Sequence, residues 1–161
     1  MDNREFHTVR GYQLLLQNKE QLTPALEDYL EMIYRSSLEN GYLRINKLAE
    51  LLNVKASSAS KMVKKLGDLG LLNYEKYGII VLSDSGREIG KFLLERHSTI
   101  EEFLRFIGCE EDVLVQTELI EHSINSSTLE NIKILNSFFA DNKEITDKFR
   151  EYKNSMASSV Q

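Results

Sequence analysis

Residues 45–82 carry the pattern that most restricts the fold of this chain. Two apolar stripes at helical spacing, one around Leu48 and one across 59–66, are separated by Asn53. Asn tolerates the left-handed backbone of a tight turn, so the pattern predicts two short helices joined by a turn of about three or four residues. The next segment is rich in Tyr, Ile and Val and is interrupted by Gly78, which predicts a β-hairpin. The pattern therefore indicates a helix-turn-helix followed by a wing.

Two signals for the start of a helix are present, one before residues 45–82 and one within them. Thr23-Pro24 predicts the start of a helix, because Pro is favoured at the first helical position. Asn40-Gly41 predicts the end of the same helix. Asn46 is predicted to cap the first helix of the helix-turn-helix. Residues 1–22 include a possible helix around 12–16 and are otherwise interpreted as an extension, with a mobile arm as the alternative.

The C-terminal half is predicted to be helical. Ser83 or Ser85 can cap a long helix whose apolar stripe continues to Gly108. Two further helices are predicted over 110–123 and 129–141, the second from a capping-box pattern, Ser127-Thr128-Leu129-Glu130. Its apolar face can cover a partner subunit or pack within its own domain. The last eight residues, 154–161, are predicted to be frayed.

Charge is unevenly distributed along the 161 residues. Residues 42–97 contain ten Lys and Arg against six Asp and Glu, whereas 1–41 contain four against seven and 98–161 contain six against twelve. The net charge of −5 thus hides a basic middle, which suits a phosphate-binding surface. The single Cys excludes an internal disulfide scaffold. No apolar run is long enough for a membrane span and no signal-peptide pattern is present, so the chain is expected to be cytoplasmic, with no membrane partner.

The second helix of the helix-turn-helix presents hydroxyls near its start and lysines along its length. Such a helix suits a major groove, where its first residues meet bases and its lysines meet phosphates. A solvated lysine face is the alternative for an isolated helix, but the wing and the basic middle favour DNA. The candidate DNA-binding residues are Ser57, Ser60, Lys61, Lys64 and Lys65, with Lys76 and Tyr77 at the wing tip.

Glu118, Glu121 and His122 share one helical face, because they are spaced at i, i+3 and i+4. Adjacent carboxylates repel unless a cation or proton lies between them, so a metal would give this cluster a purpose. A solvated acidic face is the alternative.

Asp28 and Glu31 form a second carboxylate pair, three residues apart on the first helix, and such a pair is usually solvated surface. His97 can add an imidazole, although a lone His beside an apolar stripe is more often structural. Oxygen and nitrogen donors without a thiolate suit Mn(II), Fe(II) and related first-row ions.

From Leu22 to about Phe139 the chain resembles the diphtheria-toxin-repressor family of metal-dependent transcriptional regulators, and most closely its manganese-transport regulator branch. The resemblance rests on Thr23-Pro24 with Glu27-Asp28-Tyr29-Leu30-Glu31, on Ala56-Ser57-Ser58-Ala59-Ser60-Lys61-Met62-Val63, on Tyr74-Glu75-Lys76-Tyr77, on Arg96-His97 and on Ile120-Glu121-His122. The metal ligands that it implies are Asp28, Glu31, His97, Glu118, Glu121 and His122.

The resemblance also implies a manganese site. The iron-responsive branch has Met and Cys at the positions of Asp28 and Glu118, so the two hard carboxylates of this chain favour Mn(II). The resemblance to the manganese branch implies two ions per subunit. Other divalent first-row metals are possible. The chain departs from the family at Ala56, where Pro is common, at Ser123, where a second His is common, and in its extension 1–22. No departure removes a ligand.

The expected fold is mainly α with a small β-hairpin wing: a winged helix-turn-helix domain followed by a helical dimerisation domain. The expected boundaries are an N-terminal extension 1–22, a winged-helix domain 23–96, a metal-binding and dimerisation domain 97–141, and a C-terminal helix with a frayed tail 142–161.

The resemblance implies a manganese-responsive repressor of metal-uptake genes, a homodimer on palindromic operator DNA and not an enzyme. An iron-responsive or metal-independent winged-helix regulator is the alternative. A carboxylate di-metal enzyme is disfavoured because Leu119 and Leu94 stand where Glu-x-x-His pairs need Glu.

Overall fold

The computed structural model of this chain describes residues 11–16 and 21–158, which fall into two compact units divided between Glu95 and Arg96. The N-terminal unit contains helical residues 11–16, α1 (Pro24–Ser37), β1 (Leu43–Arg44), α2 (Ile45–Leu51), α3 (Ala56–Asp68), β2 (Leu72–Glu75), a 3₁₀ turn (Lys76–Gly78) and β3 (Ile79–Leu82). The division lies inside α4 (Asp84–Phe106), and the C-terminal unit continues with α5 (Val113–Glu121), α6 (Ser126–Asp141) and α7 (Lys143–Ser158). The predicted mainly helical fold with a small wing is confirmed.

The helix-turn-helix is formed by α2 and α3, as predicted. Asn53 adopts a left-handed conformation, with φ of 51°, between the two helices. Ala59, Val63 and Leu66 are the buried face of α3, and Gly70, with φ of 71°, follows its end. The predicted Asn46 cap is wrong, because Arg44 is the residue before the first turn and α2 already begins at Ile45.

The wing is a three-stranded antiparallel sheet in the order β1-β3-β2. The two predicted strands are β2 and β3, and the additional strand β1 pairs Leu43 with Ile80. Ile80 and Leu82 point into the core, since they alternate with more exposed residues along β3. Gly78 has φ of 73°, and a side chain there would place its Cβ 2.7 Å from Cγ2 of Ile45. The turn therefore needs glycine for both its conformation and its space.

Ser83, one of the two predicted caps, immediately precedes α4 (Asp84–Phe106). The Ser83 hydroxyl accepts a hydrogen bond from the backbone N–H of Gly86, at 3.1 Å. Ile89 and Leu93 are fully buried on its inner face. The helical residues 11–16 lie against the same helix, since the ring centroids of Tyr12 and Phe92 are 5.6 Å apart. Residues 1–10 and 17–20 of the predicted extension lie outside the described residues.

Two helix boundaries in the C-terminal unit differ from prediction. Helix α5 covers only Val113–Glu121, because Asp112 has a left-handed backbone, with φ of 53°. Helix α6 begins at Ser126, where Asn125 Oδ1 accepts from Thr128 N at 2.8 Å, so Asn125 replaces the predicted capping box.

The last helix, α7, packs on α6 through the Phe139 and Phe149 rings, which lie 6.2 Å apart. It continues to Ser158, into the segment 154–161 that is predicted to be frayed, and 159–161 lie outside the described residues. No helix in the described part of the chain is long and apolar enough to cross a membrane.

Candidate metal centre and DNA-facing surface

Helix α3 carries most of the predicted DNA-binding side chains on its solvent face. Ser57, Lys61, Lys64 and Lys65 are exposed, whereas Ser60 is half-buried. The buried stripe of α3 lies on the other side, so the packing that fixes the helix leaves its lysines available.

The wing tip presents Tyr77, whose side chain is 89% exposed on a left-handed backbone, with φ of 65°. The side chain of Lys76 lies outside the described part of the structure. Lys55 is a cation that the sequence prediction missed: it is exposed and is the N-cap residue of α3. The sequence could have indicated this residue, because Lys55 immediately precedes the predicted second helix of the helix-turn-helix.

Helix α1 places Asp28 and Glu31 three residues apart. Glu31 is buried, with 8% exposure, and its Oε1 accepts a hydrogen bond from Arg35 Nη2 at 2.6 Å. Asp28 is half-buried. The pair is therefore not the solvated surface that such spacing usually indicates.

Tyr34 holds α1 against α4. A Cβ at Gly90 would approach Cβ of Tyr34 to 2.6 Å, so glycine is needed for this close approach. Burial raises the pKa of the Tyr34 phenol, and the carboxylate of Glu95 adds to the effect. Burial likewise raises the pKa of Tyr29 on the same helix.

The C-terminal unit brings four of the six predicted ligands together. His97 Nδ1 lies 3.1 Å from Glu121 Oε2 and 3.7 Å from Glu118 Oε1. One ligand atom each of Glu118, Glu121 and His122 lie within 4.8 Å of one another. Glu121 is fully buried and Glu118 is exposed, so the cluster extends from the interior of the unit to solvent.

Two neighbours of the imidazoles were not predicted from the sequence. Glu101 Oε2 lies 3.9 Å from Nε2 of His97, and Arg96 Nη2 lies 3.2 Å from Nδ1 of His122. The position of Glu101, four residues after His97 on one helix, was a usable signal. The contact between Arg96 and His122 joins residues 26 apart, so only the fold reveals it.

The donor set fits a divalent cation. Glu121 Oε1 is buried and accepts no hydrogen bond within the described residues, although a buried polar atom normally has a partner. This oxygen lies 3.7 Å from His122 Nε2. Carboxylate oxygens and imidazole nitrogens together suit Mn(II), Fe(II) and related ions.

Two family models match the chain, and together they cover most of it. The model described as iron dependent repressor, N-terminal DNA binding domain, matches residues 21–80. The model described as iron dependent repressor, metal binding and dimerisation domain, matches residues 83–150. The chain belongs to the iron-dependent repressor family. Within this family, the DNA-binding description covers the helix-turn-helix and wing, and the metal-binding description covers the cluster around Glu121.

Curated relatives are similar to this chain over most of their own length. The HTH-type transcriptional regulator MntR of Geobacillus kaustophilus is 41% identical over 130 residues, which are 80% of this chain and 92% of that relative. MntR of Bacillus subtilis is 42% identical over 120 residues, or 74% of this chain and 84% of that relative.

Solved structures with the same fold include further metal regulators. The manganese regulator SloR has a TM-score of 0.61 at 32% identity, covering 71% of this chain and 54% of that one. A manganese-dependent transcriptional repressor in complex with manganese has a TM-score of 0.62 at 29% identity, covering 70% and 53%. The chain thus spans about half the length of these solved relatives.

Proposed function

We propose that this chain is a manganese-responsive, DNA-binding transcriptional repressor that acts as a homodimer. The observation that carries the proposal is the buried cluster of His97 and Glu121 in a chain that also exposes the lysines of a helix-turn-helix. The similarity to the MntR regulators supports the choice of metal. The role requires no catalysed reaction, and we place it in the cytoplasm with the operator.

The six proposed ligands come from both units. Helix α1 contributes Asp28 and Glu31, and the C-terminal unit contributes His97, Glu118, Glu121 and His122. Two Mn(II) ions held by them would supply positive charge between carboxylates that otherwise repel. Glu121 is the most deeply buried of these carboxylates, so it is the one least able to obtain that compensation from water.

The ligands lie in both units of the chain, so metal binding and DNA binding are coupled in the proposed mechanism. The state that satisfies all six ligands gains the metal-binding free energy. If that state is also the one that fits the operator, metal increases the affinity of the protein for DNA. DNA must then increase the affinity of the protein for metal by the same factor. The proposed DNA contacts are those of α3 and the wing, with Ser57 and Ser60 near bases and Lys61, Lys64, Lys65, Lys76 and Tyr77 near the backbone or minor groove.

Dimerisation gives the regulator two recognition helices. Leu119, at 68%, Ile134, at 61%, and Phe138, at 46%, are exposed apolar residues of α5 and α6. Exposed apolar side chains of this size suit a subunit interface. A twofold dimer matches a palindromic operator whose half-sites are about one helical turn, or a multiple of it, apart. Metal-uptake genes are the proposed targets.

A DNA-binding titration tests the function. The full chain is titrated onto its own upstream DNA at fixed salt with Mn(II), Fe(II), Zn(II), Co(II) or a chelator, because phosphate contacts make affinity salt-dependent. We expect tight binding with Mn(II) and weak binding with chelator. Equal affinity with chelator would show a metal-independent regulator, and a response to Fe(II) alone would show the iron-responsive alternative that the family description favours.

A further inference from the structure

The helical residues 11–16, here called the N-terminal segment, pack on α4 within the N-terminal unit. The part of the chain that matches the DNA-binding family model begins at residue 21, so that family description does not account for this contact. Phe92 of α4 is 3% exposed, and the centroid of its ring lies 5.6 Å from that of Tyr12. The segment therefore takes part in burying an aromatic side chain of α4.

The contact is close enough to involve the backbone of α4. A Cβ added at Gly11 would lie 2.7 Å from the carbonyl oxygen of Glu88 and 2.7 Å from Cβ of Phe92, so no side chain fits between this residue and the helix. Leu15, one turn later, is 7% exposed, whereas the adjacent Leu16 is 46% exposed. The segment thus has one face on the protein and one face in solvent, which indicates a specific contact.

Helix α4 is held on two different faces. Glu88 and Phe92, which meet the segment, are four residues apart and so share one face. Gly90 lies about 200° around the helix from Glu88, and it approaches Tyr34 of α1. The first half of α4 is therefore enclosed between α1 and the N-terminal segment.

The enclosed helix is also the one that continues into the C-terminal unit. Helix α4 is unbroken from Asp84 to Phe106, and the division between the units follows Glu95, about one turn beyond Phe92. His97, one of the proposed ligands, comes two residues after the division. Energetic coupling between sites is carried by packed side chains and rigid secondary elements. Along the chain, the segment thus restrains α4 just before a proposed ligand.

We propose that the N-terminal segment is a regulatory element that restrains the first half of α4 and thereby strengthens the effect of metal on operator binding. This inference rests on the proposed function. A docked segment transmits the order that metal imposes on α4 to the DNA-binding unit. A released segment leaves α4 free to move locally, so metal binding orders the DNA-binding unit less. The segment contributes to the coupling and not to the binding of either ligand alone.

Two adjacent leucines provide matched variants of the full chain. Leu15→Asp places a charge at a buried position and should release the segment, whereas Leu16→Asp places the same charge at an exposed position and should not. Gly11→Val is a second way to release it, through steric overlap with α4. Hydrogen exchange should become faster at 11–16 and 84–95 in the releasing variants alone. Protection that is retained in both of them overturns the proposal.

Operator affinity is then measured with saturating Mn(II) and with chelator, and the ratio of the two affinities is the coupling factor. We expect this ratio to fall by about tenfold in Leu15→Asp, a change on the scale of residues that modulate coupling, and to stay unchanged in Leu16→Asp. Operator affinity with chelator and Mn(II) affinity without DNA should both be unchanged. If Leu15→Asp does not fold, Gly11→Val is measured instead, with Gln13→Val at an exposed position of the segment as its control.

The outcomes separate a regulatory role from a structural one. A ratio that is unchanged once the segment is released overturns the proposal. An equal loss of operator affinity with and without Mn(II) shows that the segment only stabilises the DNA-binding unit, and this result also overturns the proposal. Failure of the proposed function is a different result, because the unmodified chain itself would then bind its operator equally well with Mn(II) and with chelator.

Discussion

Nδ1 of His97 lies 3.1 Å from Oε2 of Glu121, and both side chains are buried in the C-terminal unit. A carboxylate removed from water needs a charged or hydrogen-bonding partner. One oxygen of Glu121 has such a partner in His97, and the other, Oε1, accepts no hydrogen bond within the described residues. Glu121 is therefore the side chain on which the proposed metal centre can be tested most directly.

Glu121→Gln replaces the buried carboxylate by an amide of the same shape. We expect Mn(II) affinity to fall by at least about tenfold, because an anionic oxygen ligand is lost. Glu130→Gln on α6 is the control, since Glu130 is exposed and outside the cluster. Calorimetric titration of the metal-free proteins measures both, and an affinity equal to that of the unmodified chain would contradict the assignment.

Glu31→Ala tests the carboxylates of α1. The variant should lose Mn(II)-dependent operator binding while it remains a folded dimer by light scattering. It also loses the 2.6 Å ion pair with Arg35, so Arg35→Ala is the matched control, because it breaks the same pair and keeps the carboxylate. Equal loss of DNA binding in the two variants would show that the ion pair matters and the proposed ligand does not.

Lys64→Ala tests the solvent face of α3. Removing one phosphate contact should weaken binding to all sequences alike and reduce the slope of log affinity against log salt by about one. Lys47→Ala on α2 is the control, because Lys47 Nζ is paired with Glu50 Oε1 at 2.9 Å. Binding is measured by fluorescence anisotropy over a range of salt concentrations. A slope that changes in the Lys47 variant and not in the Lys64 variant would place the DNA elsewhere.

Gly86→Ala tests the packing at the start of α4. A Cβ at this position would overlap the backbone carbonyl oxygen of Leu71, so we expect the free energy of unfolding to fall by about 1–3 kcal/mol. Gly67→Ala is the control on α3, where a Cβ would lie 3.6 Å from the nearest atom, the carbonyl oxygen of Leu72. This variant should be more stable by about 0.5–1 kcal/mol. Urea unfolding compares the two, and a stability loss in Gly67→Ala similar to that in Gly86→Ala would refute the packing argument.

Local signals in the sequence predicted most of the fold. Asn53 at the turn and Pro24 at a helix start each act through their own backbone preferences, so they can be interpreted without knowledge of distant residues. Strand β1 could not be predicted in this way. Leu43 and Arg44 are extended because they pair with β3, which lies more than 30 residues later in the chain. The same pairing explains why α2 begins before Asn46.

The types of side chain in the candidate site could be predicted from the sequence. Their burial and their neighbours from other parts of the chain could not. Spacing placed Glu118, Glu121 and His122 on one helix face, and spacing is a local property. The burial of Glu121 and the approach of Arg96 to His122 depend on how α4 and α5 pack in the C-terminal unit. Packing of this kind is decided by the whole set of apolar contacts, which no short motif contains.

The backbone of Tyr77 has a consequence for how this chain can evolve. A non-glycine residue in the left-handed region costs about 1–2 kcal/mol, and the 89% exposed ring of Tyr77 recovers little of that through burial. Selection for stability alone would favour glycine at this position. A tyrosine that persists there among descendants of this gene would therefore record selection for what the wing tip touches.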